Sequence, residues 1–578
     1  MARRIPVTLT ARETLRRAYT QIATDVDGLT HSIWLRSKSV APFNDIRPAY
    51  LRGDKVRGQA LLEGHFDYAG QRLDIGAQGD PWTIPAPSER FARWLHSFEW
   101  LEDLVAVNDG AAFVRARFLV DRWIAIYGKW NAFVWDGDLL SRRLYIWLKL
   151  WSPALQADSL SNLAEQRRRC VMRQLKYLRH TYKRVPAGLP RLRAAVVFGM
   201  AGARMQENAD IFLLQGLDDL DDQIDQQILP DGGHISRNPE TTLAALRYLF
   251  TLDGLLQERG AEGSSTLRRS IDRLLPIIAF FQAGDGGLCC FNGGGEGAKT
   301  DIQKIFKTTK LTSRPFGYSP HTGYQRIEKN GTVVIMDSGS APSYPHDDEA
   351  HLAPLAIEIS NPAGRLIVNC GWNAAQPAHW RRPVRATAAH STLVIDNQSA
   401  GRVLKPGFRS HVLGEVVSAA AETVKASRKE HAPGVWLETS HDGYVPNFGL
   451  LHRRRVYVNM DGNDIRGEDI LALPLGMSPI RQDEVDFDIR FHLHPDVKVT
   501  IAQNLQSALL IQPGNIGWRF RTDGGPLAIE PSIYLGQGNR PVKSEQLVIS
   551  GRAYCDSDGE TRSNRVRWSL RQLEGRRR

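Results

Sequence analysis

The sequence predicts an α+β protein of two large units, a helical half followed by an antiparallel β half. Three observations carry this reading. Apolar residues recur at three- and four-residue intervals up to about residue 282, and the period drops to two beyond about residue 315. Between them lies a glycine-rich passage, GDGGLCCFNGGGEG (284–297), too flexible for regular structure and open enough for backbone to approach a ligand.

The helical segments follow in order. FARWLHSFEWLEDLVAV (91–107), AAFVRARFLVDRWIAIY (111–127), DLLSRRLYIWLKLW (138–151), AEQRRRCVMRQLKYLRHTYK (164–183) and LRAAVVFGMAGARMQENADIFLLQGL (192–217) each gather an apolar stripe. Links such as NDG (108–110) and WSP (151–153) are short, so neighbouring helices run antiparallel; a bundle, a solenoid and an α/α toroid all satisfy that pattern. In GYQRIEKNGTVVIMDSG (323–339) two strands flank Asn330-Gly331, a dipeptide suited to a tight hairpin turn. GRLIVNC, STLVID, LHRRRVYVN, VDFDIRFHLH, KVTIAQ, SALLIQP, GWRFRT and QLVISG continue as strand-sized pieces, which predicts stacked antiparallel sheets.

Composition bounds the function. With 578 residues, 42% hydrophobic and 24% charged, the chain is neither disordered nor fibrous. No stretch approaches the ~20 apolar residues of a membrane span. The net charge is 74 − 63 = +11, which favours an anionic partner. Five cysteines without a CxxC pair argue against a disulfide framework or a cysteine zinc knuckle. The start, MARRIPVTLTARETLRRAYT, holds no continuous apolar h-region, so a cytoplasmic location is expected.

Three residue types are unevenly spread. Ten basic residues and no acid lie from Arg167 to Arg193, and eight acids without Lys or Arg from Glu207 to Asp231. These segments either neutralise each other across a solvated face, or the basic one lines a groove for a polyanion; no nucleic-acid-binding motif accompanies it. Nine of 14 tryptophans fall in the first 151 residues, most of them expected in the helical core and one or two available to stack on sugar rings. Eleven of 16 histidines lie from His321 onward, notably in HDDEAHLAPLAIEIS (346–360) and RATAAHSTLVID (385–396), where imidazoles with an oxygen ligand would suit zinc.

HSFEWLEDL, RMQENADIFLLQGL, LPDGGHISRNP, FNGGGE, HTGYQRIEKNGTVVIMDSG, EAHLAPLAIEIS, GRLIVNCG and TAAHSTLVID together resemble the heparinase II/III-like family of bacterial polysaccharide lyases. The resemblance implies an N-terminal α/α toroid (an incomplete barrel) over 1–310 and a C-terminal antiparallel β-sandwich over 311–578. It implies cleavage of a uronic-acid-containing glycan by β-elimination: one group neutralises the C5 carboxylate, a base takes the C5 proton and an acid protonates the departing O4.

Carried over residue by residue, the family's Asn-His-x-x-Glu-Asn element falls on Ala203, Arg204, Glu207 and Asn208. Its catalytic Tyr falls on Thr241, far too weak an acid, and its catalytic His on Glu349. Arg204 then stands as carboxylate neutraliser, with Glu207 and Asn208 orienting it. Tyr324, Glu349, His321 or His234 supplies acid and base, and Asn208, His234, Arg237 and Asn238 bind substrate. His351, Asn369 and His390 hold a structural zinc, with Cys370 as a softer alternative to Asn369; no organic cofactor is implied. The partner is an acidic polysaccharide or oligosaccharide, without specific nucleic acid. The family's usual place is the periplasm or cell envelope. The alternative to a lyase is a non-catalytic glycan-binding relative; a glycoside hydrolase using Glu207 and an acid from 218–231 is a third reading.

Overall fold

The computed structural model describes residues 6–34, 40–48, 52–156, 162–207, 209–309, 315–559 and 564–573. Helices fill the first half, from Val7–Trp34 to Lys299–Thr309, and ladder strands begin at Tyr318–Ser319. The chain is an α/α toroid followed by an antiparallel β-sandwich. One element departs from the helical reading: a hairpin, His65–Tyr68 with Gln71–Asp74, turns at Ala69 and Gly70, both at positive φ.

Helix starts are set by side-chain caps. Ser88, Asp109, Asp136, Asn238 and Ser264 each accept backbone N–H bonds at the start of the helix that follows. The helix Leu189–Arg204 is buried along most of its length and packs on Ala209–Gln227, Gly137–Lys149 and Pro239–Arg259. Glycine makes this approach possible: a Cβ on Gly216 would lie 2.4 Å from the backbone nitrogen of Gly199. Trp82, Trp100, Trp123, Trp135, Trp147 and Trp151 are core. Trp94 instead stacks on Tyr68, rings 3° from parallel.

The first helix is turned inside out. Its polar Thr10, Glu13 and Asp27 face the body, while Leu15, Tyr19, Ile22, Val26 and Leu29 are exposed.

Part of the basic segment is structural: Arg167 pairs with Asp121, Arg184 with Asp27 and Arg193 with Asp138, all outside the acidic segment, while Arg179 donates to Gln215 on the acidic helix. Amphipathic helices in contact on both sides found nearer acids on other helices.

Two sheets form the sandwich. The eight-stranded sheet runs in the order Val424–His431, Gly434–His441, Leu451–Asn459, Asp464–Ala472, Arg565–Gln572, Ile516–Thr522, Ser507–Gln512, Lys498–Ile501. The nine-stranded sheet contains the 324–337 hairpin, with Asn330 and Gly331 at the positive φ its turn requires. Alternation along each strand sends Val456, Val458, Phe520 and Leu570 inward against Ile489, Phe491, Leu547 and Ile549. Among the described residues, no helix is long and apolar enough to cross a membrane.

Candidate functional site

The two halves meet where the 231–240 turn and the glycine-rich loop of the toroid face the 319–351 segment of the sandwich. Asp231 organises this junction, accepting from the Ser319 and Thr322 hydroxyls at 2.7 Å and from the backbone N–H groups of His321 and Thr322 at 2.8 Å. Burial opposes ionisation of Asp231, but the donors from Thr322, Ser319 and Gly233 outweigh it and hold its pKa below 3.8. A carboxylate depressed in the fold stabilises it above the unfolded value and loses that contribution as pH falls through the folded value. Asp231→Asn is therefore expected to destabilise the chain by about 1–3 kcal/mol at neutral pH. Denaturation curves at pH 7 and pH 3 check this, with the gap to the wild type narrowing in acid.

Arg237, expected to bind substrate, instead ties the halves together. At a positive φ of 59°, it donates to the carbonyls of Thr322, Gly323, Gly339 and Ser340 and to the Asp337 carboxylate. Its guanidinium lies 4.9 Å from the centre of the Tyr324 ring. Tyr324, offered as acid or base, is fully buried: its hydroxyl donates to the Arg237 carbonyl and accepts from Asn292 Nδ2, both at 2.7 Å. Burial, then Asp337, drives its pKa well above 10. His234 lies between Ser236 and Gln227 in the turn, where burial and then His346 lower its pKa to about 3. Asn238 caps the helix Pro239–Arg259 through Glu240 N–H and Thr241 N–H. His321 is exposed and held through its backbone.

Arg204 closes the helix Leu189–Arg204 with no exposed surface. It donates to the carbonyls of Asn44 and Lys149 and to the Ser152 hydroxyl, and burial lowers its pKa to about 9. A side chain committed to carbonyls inside a helix junction does not reach a substrate carboxylate. Glu207 is exposed in the following bend, and Asn208 lies outside the described residues.

The zinc set does not fit. Both ring nitrogens of His351 face backbone N–H groups, Asn292 at 3.0 Å and Gly293 at 2.8 Å, so neither is aimed at a metal. His390 donates from Nε2 to the Val384 carbonyl, which leaves only Nδ1 without a described partner. Asn369 Oδ1 accepts from Ser391 N–H. Among the described residues, no group of three or more His, Cys, Asp or Glu is placed to hold a metal. Cys370 Sγ is 3.7 Å from His492 Nδ1 instead.

Glu349 is half-buried beside the glycine-rich loop, 36% of its side chain exposed, its Cβ 2.6 Å from where a side chain on Gly293 would begin. Burial, then Asp348 and Glu240, raise its pKa to about 7 against the pull of Arg381. Two neighbours here carry no signal in the sequence. Glu240 accepts from Gly295 N–H at 3.0 Å. Arg381 reaches Asp348, Glu349 and Glu415, so its charge is already shared by three carboxylates. Neither stands in a periodic pattern, and only the fold brings 240, 349 and 381 together. The arrangement can exchange a proton at Glu349, but it presents more carboxylates than free cations to a uronate.

Residues 312–569 match the family described as heparinase II/III-like, C-terminal. The chain is 36% identical over 540 residues, 92% of its length and 90% of the relative's, to FtsZ-localized protein C of Caulobacter vibrioides. Its fold is similar to the crystal structure of heparinase III, with TM-score 0.68 at 13% identity, covering 99% of this chain and 93% of that one. It is also similar to a heparan sulfate lyase mutant from Pedobacter heparinus, with TM-score 0.61 at 14% identity, covering 98% and 90%.

Proposed function

Since the chain belongs to the heparinase II/III-like family, we propose that it is a member that has kept the toroid and sandwich without the lyase chemistry, and that it acts as a binding protein at the division site. One observation carries the reading: among the described candidates, all but Glu207, His321 and Glu349 are spent on structure or replaced by a residue unfit for the chemistry. Arg204 bonds helix carbonyls, Tyr324 and His234 are sealed in the junction, and Thr241 replaces a phenol with a far weaker acid. Function resides in such sites and not in the fold. The name of the Caulobacter relative supplies the cellular context.

A fluorescent fusion of the full chain, expressed in its own cells, is expected to follow FtsZ to midcell and to do so equally with Glu349→Gln. A fusion that stays diffuse would remove the division-site part of the proposal.

A second reading keeps an acidic glycan as substrate, with Glu349 as the proton-transfer group. What favours it is a carboxyl raised to about 7 beside a glycine-rich loop, in the range where a general base works best near neutrality.

A further inference from the structure

The outer face of the eight-stranded sheet carries a groove far richer in cations than the junction. Strand alternation points Arg455, Arg466, Arg567, Arg571, Arg519 and Arg521 outward, from four strands adjacent in the sheet. At ~4.8 Å per strand, these rows span roughly 14 Å. Of the acids among them, Glu468 pairs with Arg455 and Arg567 and Asp464 with Arg466, while Asp523 accepts from the Arg567 backbone N–H. Arg519, Arg521 and Arg571 are exposed and make no ion pair with any described residue. Arg519 also stands directly opposite Arg571 in the ladder, a like-charge pairing that costs stability until an anion bridges it.

The groove has two unlike parts. The arginine part encloses about 690 Å³ and is lined at its far side by Trp436 and Arg455, which it shares with a second cavity of about 1200 Å³. That second part offers apolar Leu451, Leu475 and Met477, and its charges are mixed, Lys425 and Lys429 against Glu438 and Asp442. Trp436 sits at the boundary, 44% exposed and packed on Tyr457 with ring centres 4.7 Å apart.

We propose that this groove docks an extended peptide of a partner protein, an acidic run over the arginines followed by large apolar side chains over Trp436, Leu475 and Met477. It rests on the binding-protein reading above and names its class of partner. Charge complementarity selects the anion, since a guanidinium fork donates two parallel N–H bonds to a carboxylate. The change of character along the groove selects the peptide. A polyuronate or a nucleic acid repeats its charge along its whole length and would lay anions over the mixed and apolar part, whereas a peptide changes chemistry from one residue to the next. A bilayer is flat, and the arginines lie on the strands that floor the groove.

The test uses the purified full chain and a fluorescein-labelled synthetic peptide with a run of Glu and Asp followed by Leu, Phe and Leu. Fluorescence anisotropy is expected to show saturable binding, weakened at least ~10-fold by Arg519→Glu/Arg521→Glu and by Trp436→Ala. A peptide of the same composition with its acidic and apolar residues interleaved is expected to bind at least ~10-fold more weakly than the block peptide. Arg571→Gln is a milder variant should the double reversal unfold. Peptide binding indifferent to all three variants overturns the proposal. So does heparin, duplex DNA or a phosphatidylserine vesicle that competes for the same arginines as tightly as the block peptide. Lyase activity would sink the binding-protein reading and leave the groove result standing, while lost peptide binding with midcell localisation intact would sink the groove alone.

Discussion

Arg237→Ala is expected to lower the stability of the chain by about 3–5 kcal/mol, the cost of leaving a buried charge without its partner. The substitution strands the Asp337 carboxylate, 5% exposed as a residue, and removes the donor from four carbonyls on the β side of the junction. It also opens a void against the Tyr324 ring. Arg237→Lys is expected to recover little, because a single ammonium cannot fan out to carbonyls of Thr322, Gly323, Gly339 and Ser340 at once. Denaturant unfolding followed by tryptophan fluorescence checks both. A stable Arg237→Ala protein that merely loses ligand affinity would restore the substrate-binding role the sequence suggests.

Asp469→Ala is expected to have a similar effect, again about 3–5 kcal/mol, but inside the sandwich. Asp469 has no exposed side-chain surface. It accepts from Arg454 Nε at 2.7 Å and from Trp568 Nε1 at 2.9 Å, and lies 2.8 Å from His452 Nε2. Arg454 continues to the carbonyls of Leu355 and Ser391, which belong to the segments around the other sheet. Removing the carboxylate leaves a guanidinium buried between the sheets. Burial alone would raise the pKa of Asp469, but Arg454 and His452 hold it well below 3.8. Its contribution is therefore complete at neutral pH and lost only as acid protonates it. Circular dichroism melts of wild type and variant at pH 7 are the direct comparison; equal melting temperatures would contradict the network's importance.

The fold was legible because its signals are local. Helix period, short links and the Asn330-Gly331 turn act over a few residues, and the ladder pairs Lys329 with Thr332 across that turn. The His65–Asp74 hairpin escaped because four-residue strands are too short to establish a period. The site was less legible because its residues are recognised by direction. Arg204 occupies a position carried over from a family motif, yet sequence does not say that the last turn of its helix aims it at the Asn44 and Lys149 carbonyls. His351 reads as a ligand until the 292–293 backbone is seen against both its nitrogens. The arginine groove shows the same limit. The alternation in RVRWSLRQ and GWRFRT is visible, but the insertion of Arg565–Gln572 between Asp464–Ala472 and Ile516–Thr522 is a property of the topology.

The proposed loss of lyase chemistry is tested most directly by product formation. Purified full chain is incubated with heparan sulfate, hyaluronan, alginate and polygalacturonate from about pH 5 to 9, a range that brackets the Glu349 value of about 7. Each reaction is read by ultraviolet absorbance of the unsaturated uronate and by mass spectrometry of the oligosaccharides. No unsaturated product from any polymer at any pH, from protein shown to be folded, is the expected result. Unsaturated oligosaccharides that accumulate with the wild type and vanish with Glu349→Gln would contradict it and establish the chain as a lyase with a rebuilt base.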